Sequence, residues 1–517
     1  MRSVSGNLEG FLERARSLAE VVRSADSVAV VSHIDADGIT SAAIAVQALK
    51  RMGIRHSLHF KKSLGEAEVD SIADLEEDLV WVCDLGTASF ERMNRKRCVI
   101  TDHHQCISSG QSPMDLYVYL DGMLNPVLFG MNGSTCISGA GATYFLAREL
   151  DRANKDLAYL AIVGAVGDMQ DRSAHRLEGA LHAMVLEDAR GMVEVVPNEL
   201  SFFGWVTRSA AAMLAFSNEL KDLGYRDSVK EVSSLFYEAG VSLMRSGASS
   251  MKEGKGTVWR SWSELSQPER NIMKVTLRMR LEELNLDCEA LDRMLGEVYL
   301  FPDHPPGSPT REAKEFATLL NASGRYILTP DGKGDDERGD LIVNVCLNPK
   351  VYSESALRNV DNHKVHIREG VESVGRVDQM SNIQILKSKN NTYSLKVNDT
   401  ILGIIAGMVL DQKQQKGGLV VDCCKPIVAF AERQGSAEAG KDPEVKVSTR
   451  MRRELTSEGI NLGKAVSEAS SQVKGGGGGH DVAAGANIPK KKIKAFLDAL
   501  DQEIGAQKER FSSSGRP

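Results

Sequence analysis

Short β-forming runs alternate with helix-like segments in the first part of the chain, and this alternation constrains the fold more than any other feature. The runs occupy Ser27–Ser32, Leu79–Asp84 and Cys98–Thr101, and the helix-like segment Thr40–Met52 lies between the first two. Strands that alternate with helices in this way are typical of βαβ units, in which the strands are parallel. The sequence therefore predicts an α/β fold built on a parallel sheet.

Acidic and imidazole side chains follow each run at the point where its strand should end. The sequences SHIDADG, CDLG and TDHHQ mark these three ends, and an apolar helix-like run within Leu157–Arg172 ends in Asp168. The carboxyl ends of parallel strands lie side by side, and ligands bind beyond them in such sheets. We therefore expect one mixed cluster at this rim, composed of His33, Asp35, Asp37, Asp84, His103 and Asp168.

So many carboxylates require a cation, because close like charges either raise pKa values or must be neutralised. A pair of divalent ions that share one carboxylate meets this requirement. Imidazole and carboxylate donors without thiolates favour manganese or magnesium over structural zinc. Taken singly, Asp37 or Asp84 would be explained as a helix N-cap, and His103 with His104 as an ordinary loop pair. Four such groups, each at the end of an apolar segment, favour the metal site.

Composition indicates a protein of several domains in a reducing compartment. The chain has 517 residues, of which 42% are hydrophobic, which is enough for about two to four domains. The eight cysteines form no CxxC pair, and we expect no signal peptide, free thiols and a cytoplasmic protein. No apolar run reaches the roughly 18 residues that span a bilayer, and Thr400–Leu410 is predicted to be a buried helix. We expect no membrane partner.

The charge is unevenly distributed along the chain. The net charge is -7, yet residues 441–517 contain 14 Lys and Arg against 10 Asp and Glu, a local charge of +4. Contacts with a polyanion are therefore expected near the C-terminus.

Four motifs carry a family resemblance. In chain order, SHIDADG, CDLG, TDHHQ and VGDMQDR resemble the four signature motifs of the DHH phosphoesterase superfamily. The segments KVSTR (Lys446–Arg450) and GGGGGHDVAAGANIP (Gly475–Pro489) resemble the DHH-associated domain of RecJ-like nucleases. A long stretch between Arg172 and Thr310 makes the chain most similar to archaeal RecJ-like single-strand exonucleases, the group of the GINS-associated nuclease.

The resemblance implies two Mn²⁺ ions, with Mg²⁺ as the alternative. It assigns one ion to His33, Asp35 and Asp84, and the other to Asp37, Asp84, His103 and Asp168. His33 stands where bacterial RecJ proteins have an aspartate. The resemblance further implies that His104 donates to a phosphoryl oxygen, that Asp102 orients the adjacent loop, and that His104, Asp84 and Asp37 carry the catalysis.

The C-terminal motifs are expected to bind nucleic acid. Glycines without side chains let backbone N–H groups approach a sugar-phosphate chain closely, and the Arg450 guanidinium offers a two-pronged donor for phosphate. The expected substrate-binding residues are Ser448, Arg450, Gly478, Gly479 and His480. The plainer interpretations are a surface salt bridge for Arg450 and a solvated helix start for Lys490–Lys494.

The resemblance implies a metal-dependent, single-strand-specific exonuclease that releases mononucleotides from DNA, with RNA as a second substrate, in DNA replication or repair. Two alternatives stay open: an oligonucleotide or cyclic-dinucleotide phosphodiesterase, and a replisome scaffold protein with residual nuclease activity. The implied partners are single-stranded nucleic acid and the GINS and MCM replication proteins, and a homo-oligomer is also left open.

Four segments are predicted from the motifs and their gaps. Residues 1–178 would form the first part of the DHH domain, 179–305 a helical insertion, 306–390 the return to the DHH domain with a linker, and 391–517 the C-terminal α/β DHH-associated domain. The insertion is long enough to hold a core of its own. It would serve as a docking surface, a cover over the cleft, or a structural buttress.

Overall fold

The computed structural model describes residues 7–105, 122–245, 259–327, 336–410, 419–433 and 443–513. The chain forms two compact units, one of Met1–Ile327 with Gly334–Leu357 and the other of Leu328–Lys333 with Arg358–Pro517. The four-segment division drawn from the sequence is finer than these two units and stays a prediction.

A parallel sheet forms the centre of the first unit. Its strands are β1 (Ser27–His33), β2 (Arg55–Lys61), β3 (Leu79–Cys83), β4 (Cys98–Thr101) and β5 (Met123–Leu124), and they lie in the order β2–β1–β3–β4–β5. Every pair in this order is parallel. The helices around the sheet are α1 (Leu8–Arg23), α2 (Ala36–Met52), α3 (Glu66–Ala73), α4 (Gly139–Leu150) and α5 (Ala158–Gly167). The predicted α/β fold with a parallel sheet is confirmed.

Burial explains why the two central strands read as continuous apolar runs. All five residues of β3 and the middle five of β1 are buried, as expected of parallel strands covered on both faces. The edge strand β2 is polar and mostly half-buried. Helix α2 starts where Asp35 caps the N–H of Gly38 and ends at Gly53, whose φ of +71° suits the left-handed position after a helix.

A segment with its own core follows α5. Helix α6 (Ala180–Asp188) packs on α5 and precedes this segment. The elements of the segment are β6 (Glu194–Leu200), α7 (Ala210–Phe216), α8 (Asn218–Asp222), α9 (Val229–Glu238), α10 (Gln267–Glu283), α11 (Glu289–Arg293) and β7 (Leu295–Leu300). Trp205, Tyr225, Phe236 and Trp262 are among the residues that fill this core. Strands β6 and β7 pair antiparallel, with Leu200 opposite Leu295. The segment is therefore mostly helical, and a two-stranded ribbon joins its ends.

Three helices, α12 (Ala313–Gly324), α13 (Asp336–Leu347) and α14 (Pro349–Glu372), follow the ribbon. Both α12 and α13 pack on α2. None of the helices within the described residues combines the length and hydrophobicity that a membrane crossing requires.

The second unit is a mixed sheet with helices on both faces. Its elements are β8 (Val374–Gln379), β9 (Gln384–Ser388), β10 (Ser394–Leu395), α15 (Leu402–Leu410), β11 (Ile427–Glu432), β12 (Glu444–Arg450), α16 (Leu462–Gln472), β13 (Gly476–Gly479), β14 (Ala483–Pro489) and α17 (Ile493–Ser513). The strand order is β13–β14–β12–β11–β9–β8, and β10 pairs with β11. Alternate residues of β11 enter opposite cores: Phe430 packs with α16 and α17, and Ala429 with α15. The helix predicted at Thr400–Leu410 is confirmed from Leu402 onward, with its apolar face buried.

Candidate metal centre

The turn after β1 brings His33 and Asp35 together. Asp35 Oδ1 accepts the N–H of Gly38 at 2.9 Å, and Asp35 Oδ2 lies 2.8 Å from His33 Nδ1. A Cβ at position 38 would lie 2.4 Å from the His33 carbonyl oxygen, so this turn requires glycine. Burial disfavours charge on both side chains, but their mutual attraction outweighs it, raising the pKa of His33 and lowering that of Asp35. Asp35, and not Asp37, is the N-cap of α2.

Asp37 is held by the start of another helix. Its two carboxylate oxygens accept the N–H groups of Gly139 and Ala140, at 2.7 and 3.0 Å, in the first turn of α4. A Cβ at Gly164 of α5 would come within 2.4 Å of Asp37 Oδ1, so three helices enclose this carboxylate. Burial and the nearby Asp84 raise the pKa of Asp37 well above its usual value. The enclosed carboxylate therefore favours a neighbouring cation.

Asp84 lies between the two sides of the cluster. It follows β3 directly in the left-handed conformation, with a φ of +56°, and its side chain is buried. Its Oδ2 atom lies 3.5 Å from His33 Nδ1, and its Oδ1 atom lies 3.4 Å from His103 Nε2. Within the part of the chain that the structure describes, Asp84 Oδ1 has no hydrogen bond of normal geometry. Leaving such a buried atom unsatisfied costs about 1–3 kcal/mol, so its position fits a bound cation.

His103 faces the carboxylates with one ring nitrogen. Its Nδ1 atom lies 2.8 Å from the carbonyl oxygen of Gly133 and donates to it, which directs Nε2 toward Asp84 Oδ1 and toward Asp37 Oδ2, 3.7 Å away. A metal-binding histidine is held in this way through its second nitrogen. Burial opposes charge on His103, but the carboxylates outweigh it and raise its pKa. Without a metal ion, the carboxylates therefore favour the protonated form of the ring.

Asp168 lies where α5 ends, and its side chain is partly exposed. Its Oδ2 atom lies 3.7 Å from His103 Nδ1 and accepts a hydrogen bond from the side chain of Gln170 at 3.0 Å. Burial raises the pKa of Asp168. All six residues expected at the strand ends are therefore brought together, namely His33, Asp35, Asp37, Asp84, His103 and Asp168. We call them the metal cluster; with four carboxylates and two imidazoles, their donor set fits Mn²⁺ or Mg²⁺.

His104 stands beside the metal cluster with a different environment. Its side chain is 56% exposed, and its Nδ1 atom lies 2.7 Å from Asp102 Oδ1. The hydrogen bond with Asp102 raises the pKa of His104 to about 9, so the ring is positively charged at neutral pH. Asp102 is buried and also accepts hydrogen bonds from the N–H and hydroxyl of Thr87, at 3.0 and 2.6 Å. Asp102 thus fixes the orientation of a charged donor.

The predicted substrate-binding residues lie in the second unit. At the end of β12, Arg450 Nη1 donates to the Thr449 carbonyl at 2.8 Å and to Ser448 Oγ at 3.2 Å. Gly478 and Gly479 belong to β13, the edge strand of the sheet, and His480 follows it in an exposed position. An open groove between β13 and α16 includes Gly478 and Gly479 in its lining. Lys490–Lys492 form an exposed turn before α17, as expected for a solvated helix start.

The sequence did not point to several residues that shape the site. Gly139 and Ala140 hold Asp37 through their backbone, Gly133 holds His103, and Gln170 contacts Asp168. Only Gln170 had a local signal, since it follows Asp168 in the motif VGDMQDR. Backbone groups of distant segments that hold a side chain cannot be recognised from the sequence.

Family models match both units of the chain. The model of the DHH family, N-terminal domain, matches residues 27–165, and the DHHA1 domain model matches residues 387–506. The chain belongs to the DHH family. Together the two matches cover about half of this DHH protein and include the metal cluster except for Asp168. The resemblance drawn from the four motifs is confirmed.

Relatives of this DHH protein include chains of similar length. An uncharacterized protein of Methanocaldococcus jannaschii, MJ0831, is 24% identical over 93% of this chain and 94% of its own. A Bacillus subtilis protein, provisionally named as an SPbeta prophage-derived single-strand DNA-specific exonuclease, YorK, is 25% identical over 26% of this chain and 24% of its own. The crystal structure of CDC45 from Entamoeba histolytica covers 96% of this chain and 98% of its own, with 11% identity and a TM-score of 0.55, which shows a shared fold.

Proposed function

We propose that this protein is a metal-dependent, single-strand-specific exonuclease that hydrolyses phosphodiester bonds and releases mononucleotides from DNA, with RNA as a second substrate. The observation that carries the proposal is the metal cluster, in which the buried Asp84 Oδ1 faces His103 Nε2 without a hydrogen bond of normal geometry among the described residues. A role in DNA replication or repair follows from the same resemblance.

Two Mn²⁺ ions, or Mg²⁺ in their place, would be held by the residues of the metal cluster. His33, Asp35 and Asp84 would hold one, and Asp37, Asp84, His103 and Asp168 the other. Such ions lower the pKa of an attacking water and offset charge on phosphoryl oxygens. The charged His104 ring would donate to a phosphoryl oxygen, while Asp102 keeps that ring in place.

Single-stranded nucleic acid is the proposed substrate, bound in part by the second unit. Arg450 and His480 supply donors, and the glycine strand β13 exposes backbone at the sheet edge. The excess of basic residues near the C-terminus supports an anionic ligand. The partial likeness to YorK, whose name specifies single-stranded DNA, supports the same class of substrate.

A scaffold role toward the GINS and MCM replication proteins is the second candidate, supported by the likeness in fold to CDC45 along the whole chain. A scaffold needs no metal cluster, so the presence of all six residues favours the enzyme. An oligonucleotide or cyclic-dinucleotide phosphodiesterase stays the alternative within the enzyme class.

All seven cysteines in the described residues are free thiols, which supports the reducing environment of the cytoplasm.

The decisive experiment uses single-stranded DNA and RNA of defined length, labelled separately at each end, with Mn²⁺ present. An exonuclease releases one labelled mononucleotide before the other, which gives the polarity, and duplex DNA of the same sequence serves as the control. Cleavage restricted to dinucleotides or cyclic dinucleotides would favour the alternative phosphodiesterase. Absence of any hydrolysis with Mn²⁺ or Mg²⁺ would leave the scaffold role as the better explanation.

A further inference from the structure

A buried hydrogen-bond chain connects α6 to the metal cluster, and neither of its side chains has a role in the proposed catalysis. Gln170 is 3% exposed and His182 of α6 is 1% exposed. We propose that Gln170 and His182 are positioning residues, which orient His103 and Asp168 for the second metal ion. This inference rests on the proposed function, because it presupposes that the cluster binds metal.

The carbonyl oxygen of Gly133 is the point where the chain meets His103. It accepts two hydrogen bonds, one from His103 Nδ1 at 2.8 Å and one from Gln170 Nε2 at 2.9 Å. A Cβ at position 133 would lie 1.9 Å from the His103 carbonyl oxygen. Only glycine allows this close approach. Because Gln170 donates to the same carbonyl oxygen as His103, it holds the group that fixes the His103 ring.

The contacts of Gln170 determine which way its amide points. The Nε2 atom lies 2.9 Å from the Gly133 carbonyl oxygen, which can only accept, and 3.0 Å from the acceptor Asp168 Oδ2. A flipped amide would place its oxygen against both acceptors. Oε1 therefore faces His182 Nε2, 3.0 Å away, which must carry the proton and donate. Burial lowers the pKa of His182 to about 4, so the ring is neutral and this tautomer is fixed.

The chain restricts two ligands that lie just beyond the ends of regular elements. His103 lies in the loop after β4, and Asp168 lies where α5 gives way to a left-handed Met169, with a φ of +59°. Hydrogen bonds hold one oxygen of Asp168 and one nitrogen of His103. The metal-binding atoms that remain, the other Asp168 oxygen and His103 Nε2, therefore have defined orientations. Groups that hold metal ligands in this manner typically change metal affinity about 10–100-fold when removed.

The positioning role of His182 connects the predicted insertion to the metal cluster. His182 lies beyond residue 178, in the first helix of the segment predicted to be an insertion. The hydrogen-bond chain therefore runs from α6 through Gln170 to the metal cluster.

Calorimetric titration of the metal-free full chain with Mn²⁺ tests the inference. Gln170→Ala and His182→Leu are expected to weaken one of two Mn²⁺ sites about 10–100-fold while the other keeps its affinity. His182→Gln, whose amide can donate to Gln170 Oε1, should restore most of the affinity. Gln507→Ala, which removes a buried and hydrogen-bonded glutamine of the second unit, should leave both sites unchanged.

The outcomes separate this inference from the proposed function. If the wild-type chain takes up no Mn²⁺, the proposed metal site fails and the inference fails with it. If the wild type binds two ions and the folded Gln170 and His182 variants bind both equally well, only the positioning role is overturned. Thermal melting in EDTA identifies a variant that has not folded, and Gln170→Glu then replaces Gln170→Ala, since it keeps the side-chain size but turns the donor into an acceptor.

Discussion

His103 Nε2 lies 3.4 Å from Asp84 Oδ1, although the two residues follow different strands. The parallel pairing of β3 with β4, in which Cys83 lies opposite Thr101, brings the two strand ends to the same level. The left-handed conformation of Asp84 accompanies this contact. Asp84 also approaches His33, so one carboxylate joins the two halves of the metal cluster.

Replacing Asp84 should therefore abolish hydrolysis. Asp84→Asn removes the negative charge that both ions would share, and we expect the rate of mononucleotide release with Mn²⁺ to fall roughly 10³-fold or more. Asp498→Asn, on the exposed face of α17, is the matched control and should keep full activity. Full activity of the Asp84 variant, or of the wild type in excess EDTA, would contradict the two-metal mechanism.

Metal ions should stabilise the folded protein. A ligand at 100 times its Kd adds about 2.7 kcal/mol to the free energy of unfolding, so Mn²⁺ should raise the Tm of the wild type above its value in EDTA. In Asp84→Asn this rise should be much smaller. In EDTA the variant and the wild type should melt at similar temperatures. Loss of the Asp84 charge relieves repulsion with Asp37 but also removes an ion-pair partner of His33 and His103. A metal-free variant that melts far below the wild type would show that Asp84 stabilises the fold by itself.

Arg450 should contribute to nucleic-acid binding without affecting the metal cluster. Arg450→Ala is expected to weaken binding of single-stranded oligonucleotide and to reduce the dependence of the Kd on salt by about one phosphate contact. Fluorescence anisotropy across a salt series measures both effects. Arg510→Ala, at the far end of α17 and paired with Glu503, is the control. Equal binding by wild type and the Arg450 variant would show that this residue does not contact the ligand.

His304 should make the first unit less stable in acid. The ring is buried beside Phe301 and Phe316, and its Nδ1 donates to the Thr310 carbonyl at 2.6 Å. Burial lowers the pKa of His304 from 6.5 to about 4. Between these two pKa values His304 is protonated in the unfolded chain and neutral in the folded chain. The free energy of unfolding should therefore fall by roughly 3 kcal/mol as the pH drops from about 6.5 to about 4.

The matched variant for this effect is His304→Asn, whose amide can donate the same hydrogen bond but does not titrate. Urea unfolding in EDTA at several pH values should show the wild type losing stability relative to the variant below about pH 6.5. Parallel curves for the two proteins over this range would rule out His304 as the source of the acid sensitivity.

The ribbon of β6 and β7 permits a precise deletion. Because Leu200 lies opposite Leu295, a two-residue Asn-Gly turn can replace residues 201–294. Glu315, which accepts hydrogen bonds from Val206 and Thr207, should be changed to Gln in the same chain, since removal of these donors would leave a buried charge unpaired. The deleted chain keeps His182, so we expect it to retain mononucleotide release.

Its outcomes also distinguish the roles considered for the removed residues. Retained activity with lost capture of GINS or MCM proteins would support a docking surface. Failure of the deleted chain to fold would favour a buttress, and capture as strong as that of the full chain would refute docking.

The residues that could be predicted from the sequence share one physical property. Strands β1 and β3 are buried, so each reads as an unbroken apolar run, and the polar residues that end them stand out. The same contrast predicted the six residues of the metal cluster. By comparison, β2 is a polar edge strand, and β13 consists of glycines that favour no regular structure. Neither could be predicted from periodicity.

The hydrogen-bond partners within the site were not predictable for a different reason. Gly133, Gln170 and His182 meet only after α5 and α6 have packed. Their contacts are between single atoms from distant segments, and such pairings leave no periodic pattern in the sequence.

The backbone conformation of Asp84 has an evolutionary consequence. A φ of +56° is adopted most readily by glycine and, among other residues, by asparagine. Selection for folding alone would accept either residue at this position, whereas the proposed hydrolysis would require the carboxylate. Position 84 is therefore where a lineage that had abandoned catalysis would be expected to drift first, and an aligned glycine or asparagine there would mark a homologue that survives as a binding protein.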